Sequence, residues 1–275
     1  CSGDSESCAL VSARAHVNRA FFESGSADRD RLEHARASIA FPWVQQIRRV
    51  VVAVIKDLVC LANSYKHNGR CVAGIEIGSK KWIRPISNRS GHEVSEPERQ
   101  YQGGVEPRVL DVISVPLVRP RSIGFQRENW LLDPVCSWRK VGWIGWRELR
   151  LFEQLPKSLW VNGYGTSEGV NDRVPVELEG RVVDSLKLIR VEGVTIKVDP
   201  THPMSNDATA VRARFLYRGN VYVLKVTDPV YKERFRTKAF GSYKLGESFL
   251  TVSLTEEYRG SLYKLVAAIV ERAHI

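Results

Sequence analysis

The sequence predicts a mainly β protein with two OB-like β-barrels in tandem and a helical, tryptophan-rich connection between them. Three observations carry that expectation. From Arg49 onward short apolar runs recur between Gly, Asn and Pro residues, which is the spacing of small barrels or sandwiches. Gly78-Ser79 and Arg218-Gly219-Asn220 separate adjacent runs in the manner of hairpin turns, glycine supplying the positive φ such turns need. Between the two β-rich parts the composition changes, with Trp130, Trp138, Trp143, Trp146 and Trp160 crowded into about thirty residues.

Taken in order, residues 1–49 are rich in Ala, Ser and Arg without an apolar period, and read as a poorly structured or helical extension. The chain begins with Cys1 and has Met204 as its only methionine, so it reads as processed, truncated or mis-started. Residues 50–133 read as the first barrel, with strands over Val50–Ala62, Arg70–Ile77, Lys81–Ser87 and Val109–Val118. The near-continuous apolarity of Val50–Ala62 would also suit a buried helix. Residues 134–173 read as the connection, with a helix over Gly142–Leu155, tryptophans closing the barrel, and a Gly-rich loop over Asn162–Asp172. Residues 174–275 read as the second barrel, with strands over Val174–Leu178, Val182–Val191, Val194–Val198, Val211–Tyr217, Val221–Thr227, Phe249–Leu254 and Leu262–Val270. A faint internal repeat relates Cys60–Ile75 to Ser253–Ile269, and Gly78–Ser87 to Gly219–Thr227.

Composition excludes several classes. The longest apolar run, Val50–Ile55, stops at Lys56 and Asp57, whereas a membrane-spanning helix needs ~20 apolar residues. Five cysteines lie far apart with no CxxC pair, and six histidines include no i,i+4 pair. Neither a zinc site nor a disulfide framework is expected, no cofactor is implied, and a reducing cytoplasm fits. Walker, nucleophile-elbow and dinucleotide patterns are missing, Gly163-Tyr164-Gly165 followed by Gly169 having the wrong spacing. The net charge is +10, and Arg212–Lys244 alone holds nine basic residues against Asp228 and Glu233, so a polyanion is the natural partner.

Two motifs carry recognition chemistry. Asn63 to Cys71 reads as a polar loop in which Lys66 and Arg70 meet phosphate while Asn63 and Ser64 hydrogen-bond a ribose or base edge. As an ordinary hairpin, the same segment would use its asparagines for the turn. Trp82 and Arg84 share one face of their strand by period two, an arrangement suited to base stacking beside a phosphate contact. The bland alternative buries Trp82 as a barrel cap and pairs Arg84 with an acid such as Asp111 or Glu106. In the second barrel Arg212, Arg214, Tyr222, Lys225 and Arg236 complete the candidate contacts. Asp111, Glu128, Asp133, Asp228, Glu233 and Glu256 would serve an acid/base pair or a magnesium site if they met, and otherwise serve as salt-bridge partners.

The runs Leu58–Gly74, Trp82–Ser87, Asp111–Leu117, Gln126–Trp130, Val226–Pro229 and Tyr263–Ile269 resemble the dual OB-containing domain family of prokaryotic proteins. That resemblance covers roughly Leu58–Val270 and implies two OB-type barrels, for which nucleic-acid binding is the usual expectation; the expected partner is DNA or RNA, with a single strand favoured. It supplies no catalytic residue. The expectation is therefore a non-enzymatic nucleic-acid-binding module. A nucleotide-processing or nucleic-acid-modifying enzyme and a nucleotide-sensing adaptor are the alternatives.

Overall fold

The computed structural model describes residues 53–66, 69–201 and 209–274; the expected N-terminal extension lies outside them. The first sheet comprises β1 (Val54–Lys66), β2 (Gly69–Glu76), β3 (Trp82–Ile86), β4 (Asp111–Pro120), β5 (Asn129–Leu132) and β6 (Arg139–Trp143), with a short helix α1 (Glu96–Arg99) between β3 and β4. Its pairing order β1-β2-β3-β5-β4 closes through β4 back onto β1, and β6 adds to the outside of β4. Five strands thus form a closed barrel, filled by Leu58, Cys60, Ile83, Ile113, Val115, Leu117 and Trp138.

From Leu58 to Ala62, β1 is apolar without alternation because both its faces are covered. Leu58 and Cys60 point into the barrel, whereas Val59 and Leu61 pack against the second half of the chain. A strand buried on both sides needs no polar face, which decides for strand over helix at this run. A register shift between Cys60 and Ala62 bends β1. Beside it Gly74 is obligatory, since a Cβ there would stand 2.4 Å from the Val59 carbonyl oxygen.

The second sheet contains β7 (Arg173–Pro175), β8 (Leu186–Val191), β9 (Val194–Pro200), β10 (Thr209–Tyr217), β11 (Asn220–Val226), β12 (Gly241–Leu245), β13 (Ser248–Tyr258) and β14 (Ser261–Glu271). They pair in the order β12-β9-β10-β11-β14-β13-β8, with β7 against β14. Arg218 and Gly219 both adopt positive φ, and so do Arg259 and Gly260. These are the tight primed turns that match strand twist, and they fix the β10–β11 and β13–β14 registers. Each sheet holds one parallel pair, β3 with β5 and β11 with β14, and β3 and β11 are the strands that the faint repeat relates.

The connection departs from expectation. In place of a helix over Gly142–Leu155 there are β6, a four-residue helix α2 (Trp146–Leu149) and a 3-10 turn over Arg150–Phe152. Gly142 and Gly145 interrupt the helical spacing, and β4 offers Asp111–Ser114 as a pairing edge that captures Arg139–Trp143. Conversely, α3 (Pro229–Arg236) forms where only a basic span was expected. Its signal was present, for Asp228 accepts from the Val230 and Tyr231 N–H groups and Pro229 follows it, an N-cap with proline at the first helical position. Cys60 and Cys71 are free thiols. Cys136 is disulfide-bonded.

The two sheets share a common seam. Val59, Leu61 and Ile75 of the first pack with Leu149, Phe152, Leu188 and Phe249, and the small side chains of Ala62, Ala73 and Ala267 let β1, β2 and β14 approach closely. Thr251 Oγ1 donates across the seam to the Leu61 carbonyl at 2.6 Å. Among the described residues no helix is long and apolar enough to cross a membrane.

Candidate functional site

The described residues of the polar motif Asn63–Cys71 are strand. Asn63 to Lys66 end β1 and Gly69 to Cys71 begin β2, with Ser64 opposite Cys71 and Tyr65 opposite Arg70. Period two therefore sends neighbouring side chains to opposite faces, and two clefts open at the seam, one on either side of the strand end.

The first cleft, about 430 Å³, is lined by Ser64, Lys66, Arg84, Lys225, Tyr258 and Tyr263 among others. Tyr65 also lines it and is 51% exposed, while Tyr258 is 57% exposed. The Arg70 guanidinium lies 4.0 Å from the Tyr65 ring centre and the Lys232 ammonium 5.4 Å from it. Arg259 stands 5.1 Å from the Tyr258 ring, and Tyr258 and Tyr263 are tilted neighbours with centroids 6.3 Å apart. Lys66 is paired with Glu256 at 3.0 Å. Tyr65 and Tyr258 each carry a cation over the ring, arranged as cation–π pairs.

The second cleft, about 710 Å³, includes Asn63, Arg70, Arg108, Asp228, Tyr231 and Glu271. Asn63 Nδ2 donates to the Pro107 carbonyl at 2.9 Å, which fixes the amide orientation. Its Oδ1 and Arg70 Nη1 are buried without a hydrogen-bond partner. Burial pushes the Asp228 carboxyl above its usual range, against the backbone N–H groups of Ile269, Val230 and Tyr231 and the nearby Arg70, which favour its charged form.

The remaining predicted residues divide sharply. Arg84 is 5% exposed. It donates to Ser185 Oγ at 2.7 Å and pairs with Glu128 at 3.1 Å, rather than with Asp111 or Glu106. It contributes to the floor of the first cleft, not to an exposed platform. Trp82 is half-buried in the seam, its Nε1 donating to Gln154 Oε1 at 2.9 Å. The second sheet packs onto β3, so the expected Trp82/Arg84 display face is covered. Tyr222 is wholly buried, stacked on Phe215 and hydrogen-bonded to Asn162. It belongs to the core because β11 alternates inward at that position. Arg236 is exposed on α3 and paired with Glu233.

Arg212 and Arg214 lie on the outer face of the second sheet, where register matters more than sequence distance. Arg212 is directly opposite Lys225 on one side and Lys197 on the other. Three cations on three adjacent strands stand ~5 Å apart in the pairing direction, and Glu168 pairs with the middle one. Like charges in direct opposition are unfavourable in the free protein.

The acidic candidates do not converge. Asp111 is held by Lys140, Tyr101 and the Arg108 N–H, Glu128 by Arg84, Asp133 by the Val135 N–H, Glu233 by Arg236 and Glu256 by Lys66. Among the described residues no group of three His, Cys, Asp or Glu side chains is placed to hold a metal ion. Sequence reasoning missed Tyr65, Tyr258, Tyr263 and Lys197. Tyr65 lies within the Asn63–Cys71 motif, and Tyr258-Arg259-Gly260 marks a hairpin tip, whereas Lys197 is visible only through the cross-strand register.

A family model described as the dual OB-containing domain matches residues 56–269. No curated protein and no solved structure matches the chain.

Proposed function

Since the chain belongs to the dual OB-containing domain family over residues 56–269, we propose that it is a nucleic-acid-binding module whose two β units hold a single strand across their seam. The observation that carries this reading is the run from the Lys197–Arg212–Lys225 row into the first cleft, which Lys225 lines together with Tyr65, Tyr258 and Tyr263. Phosphates would relieve the like-charge opposition of the row, and counterion release would supply the salt-dependent part of affinity. Exposed tyrosine rings give bases of any identity a surface to stack on. Arg70 and Lys232, already placed on the Tyr65 ring, would follow the backbone around the strand end. No catalytic residue is proposed, because each candidate acid is already engaged by its own partner.

Fluorescence anisotropy with single-stranded and duplex DNA and RNA at two salt concentrations tests the reading. Single strands should bind more tightly than duplexes, and affinity should fall as salt rises. Equal, salt-independent affinity for all four polymers, or none for any, would sink it. Saturable turnover of a strand with magnesium would favour the enzyme alternative instead.

A further inference from the structure

Of the six tryptophans among the described residues, five are buried or half-buried, and Trp143 is 71% exposed. Its neighbour Trp146 turns inward onto Phe249, ring centroids 4.8 Å apart, and Leu149 is fully buried. That anchoring leaves Trp143, Arg147 and Arg150 facing outward around a cleft of about 550 Å³. Arg190 of β8 and Arg272, just beyond the end of β14, reach the same cleft, both held by Glu247 at 2.6 and 2.8 Å, and Arg190 is braced again by Glu153 at 3.0 Å. Arg147 and Arg150 have no ion-pair partner among the described residues. Four guanidinium groups thus face Glu247 and Glu148, and the latter is occupied in accepting the Gly145 N–H at 3.1 Å.

We propose that this cleft is a second binding site, distinct from the first cleft, for one nucleotide unit: a base stacked on the exposed face of Trp143 and a phosphate held by Arg147 and Arg150. Stacking on indole requires a planar π system, and planar guanidinium forks bind phosphate by paired hydrogen bonds. The Glu247 bridge keeps Arg190 and Arg272 in place before any ligand arrives, so their ordering adds no further cost on binding. An acidic peptide would use the arginines but leave the indole bare, and an apolar partner would meet unneutralised charge. A nucleotide uses both features. The same chemistry is offered by a free mononucleotide and by the 5′-phosphorylated end of a strand.

Isothermal titration calorimetry on the full chain tests this with AMP, adenosine, inorganic phosphate and two dinucleotides, one 5′-phosphorylated and one with a 5′-hydroxyl. AMP should bind saturably and more tightly than adenosine or phosphate. Trp143→Ala, and Arg147→Ala with Arg150→Ala, should each weaken AMP about tenfold or more. Trp143→Phe should retain most of the affinity, and unchanged thermal midpoints should show that the surface variants fold. Tyr65→Ala with Tyr258→Ala should leave AMP binding unaltered, which separates this site from the first cleft. Preference for the 5′-phosphorylated dinucleotide over AMP identifies a strand end, and equal affinity identifies a free nucleotide. No saturable binding of either ligand, or AMP binding that survives Trp143→Ala but is lost in the tyrosine double variant, overturns the proposal.

Discussion

Arg84 and Glu128 form an ion pair of 3.1 Å in which both side chains are almost wholly withdrawn from water, 6% exposed each. Ser185, immediately before β8, bonds to both members: it accepts from Arg84 Nη2 at 2.7 Å and donates to Glu128 Oε1. The seam therefore encloses one charged bridge within its apolar contacts. Removing one member of such a pair leaves an uncompensated buried charge, whereas replacing both with apolar residues does not. Arg84→Met should lower folding stability by ~3–5 kcal/mol. Arg84→Met with Glu128→Leu should recover much of the loss. Urea unfolding of the single and double variants decides this, and a double variant no better than the single would show that the bridge is irreplaceable.

Tyr65→Ala and Tyr258→Ala should each cost ~1–3 kcal/mol of single-strand affinity. Because both rings are largely exposed, the urea midpoint should hardly move. Affinity equal to that of the parent in both variants would remove the tyrosines from the contact surface.

Reversing charge at Lys197, Arg212 and Lys225 should weaken single-strand binding and flatten its salt dependence. Each lost phosphate contact lowers the log–log slope by about 0.7 for single strands. Anisotropy titrations across a salt series measure that slope, and an unchanged slope would leave the row with no phosphate contact.

Lys264 is 1% exposed, donating to the Val161 carbonyl at 2.7 Å and to Asn162 Oδ1 at 3.1 Å. Burial brings its ammonium down from the ordinary 10.5 to about 7, with Asp172 opposing the shift. Between those two values the unfolded chain holds the proton and the folded chain does not. Stability should therefore rise with pH across that window and level off below it, by up to about 1.4 kcal/mol per pH unit from this group. Lys264→Met should flatten the dependence between pH 7 and 9 in thermal unfolding. A slope that persists in the variant would place its origin in other groups.

Local signals carried most of the fold. The near-continuous run Val50–Ala62, the Arg218-Gly219 turn and the alternation of β10 each act within a few residues, and over the described residues each is found as strand or turn. The connection was misread because Trp143, Trp146, Leu149 and Phe152 keep helical spacing, yet the free edge of β4 captures the chain first. For the site, side-chain chemistry was visible while burial was not. Ser64, Lys66 and Lys225 reach the first cleft, and Asn63 and Arg70 reach the second. Tyr222 and the Trp82/Arg84 pair lie inside because partners far along the chain, Asn162, Gln154 and Ser185, cover them. Such coverage depends on pairing between distant strands, which no local pattern records.

The apolar seam has a mechanical consequence. Val59, Leu61 and Ile75 are buried against Leu188 and Phe249 as thoroughly as any residues within one sheet, and the Tyr65 N–H donates to the Thr227 carbonyl across the same boundary at 3.3 Å. Separating the halves would expose that surface and strand the Arg84–Glu128 charges, so the seam does not serve as a hinge. A ligand lying across it meets contacts already spaced, and its binding free energy is not reduced by the work of closing two loose domains. The same coupling should merge the two halves into one cooperative unfolding transition, with damage in either sheet felt as loss of both.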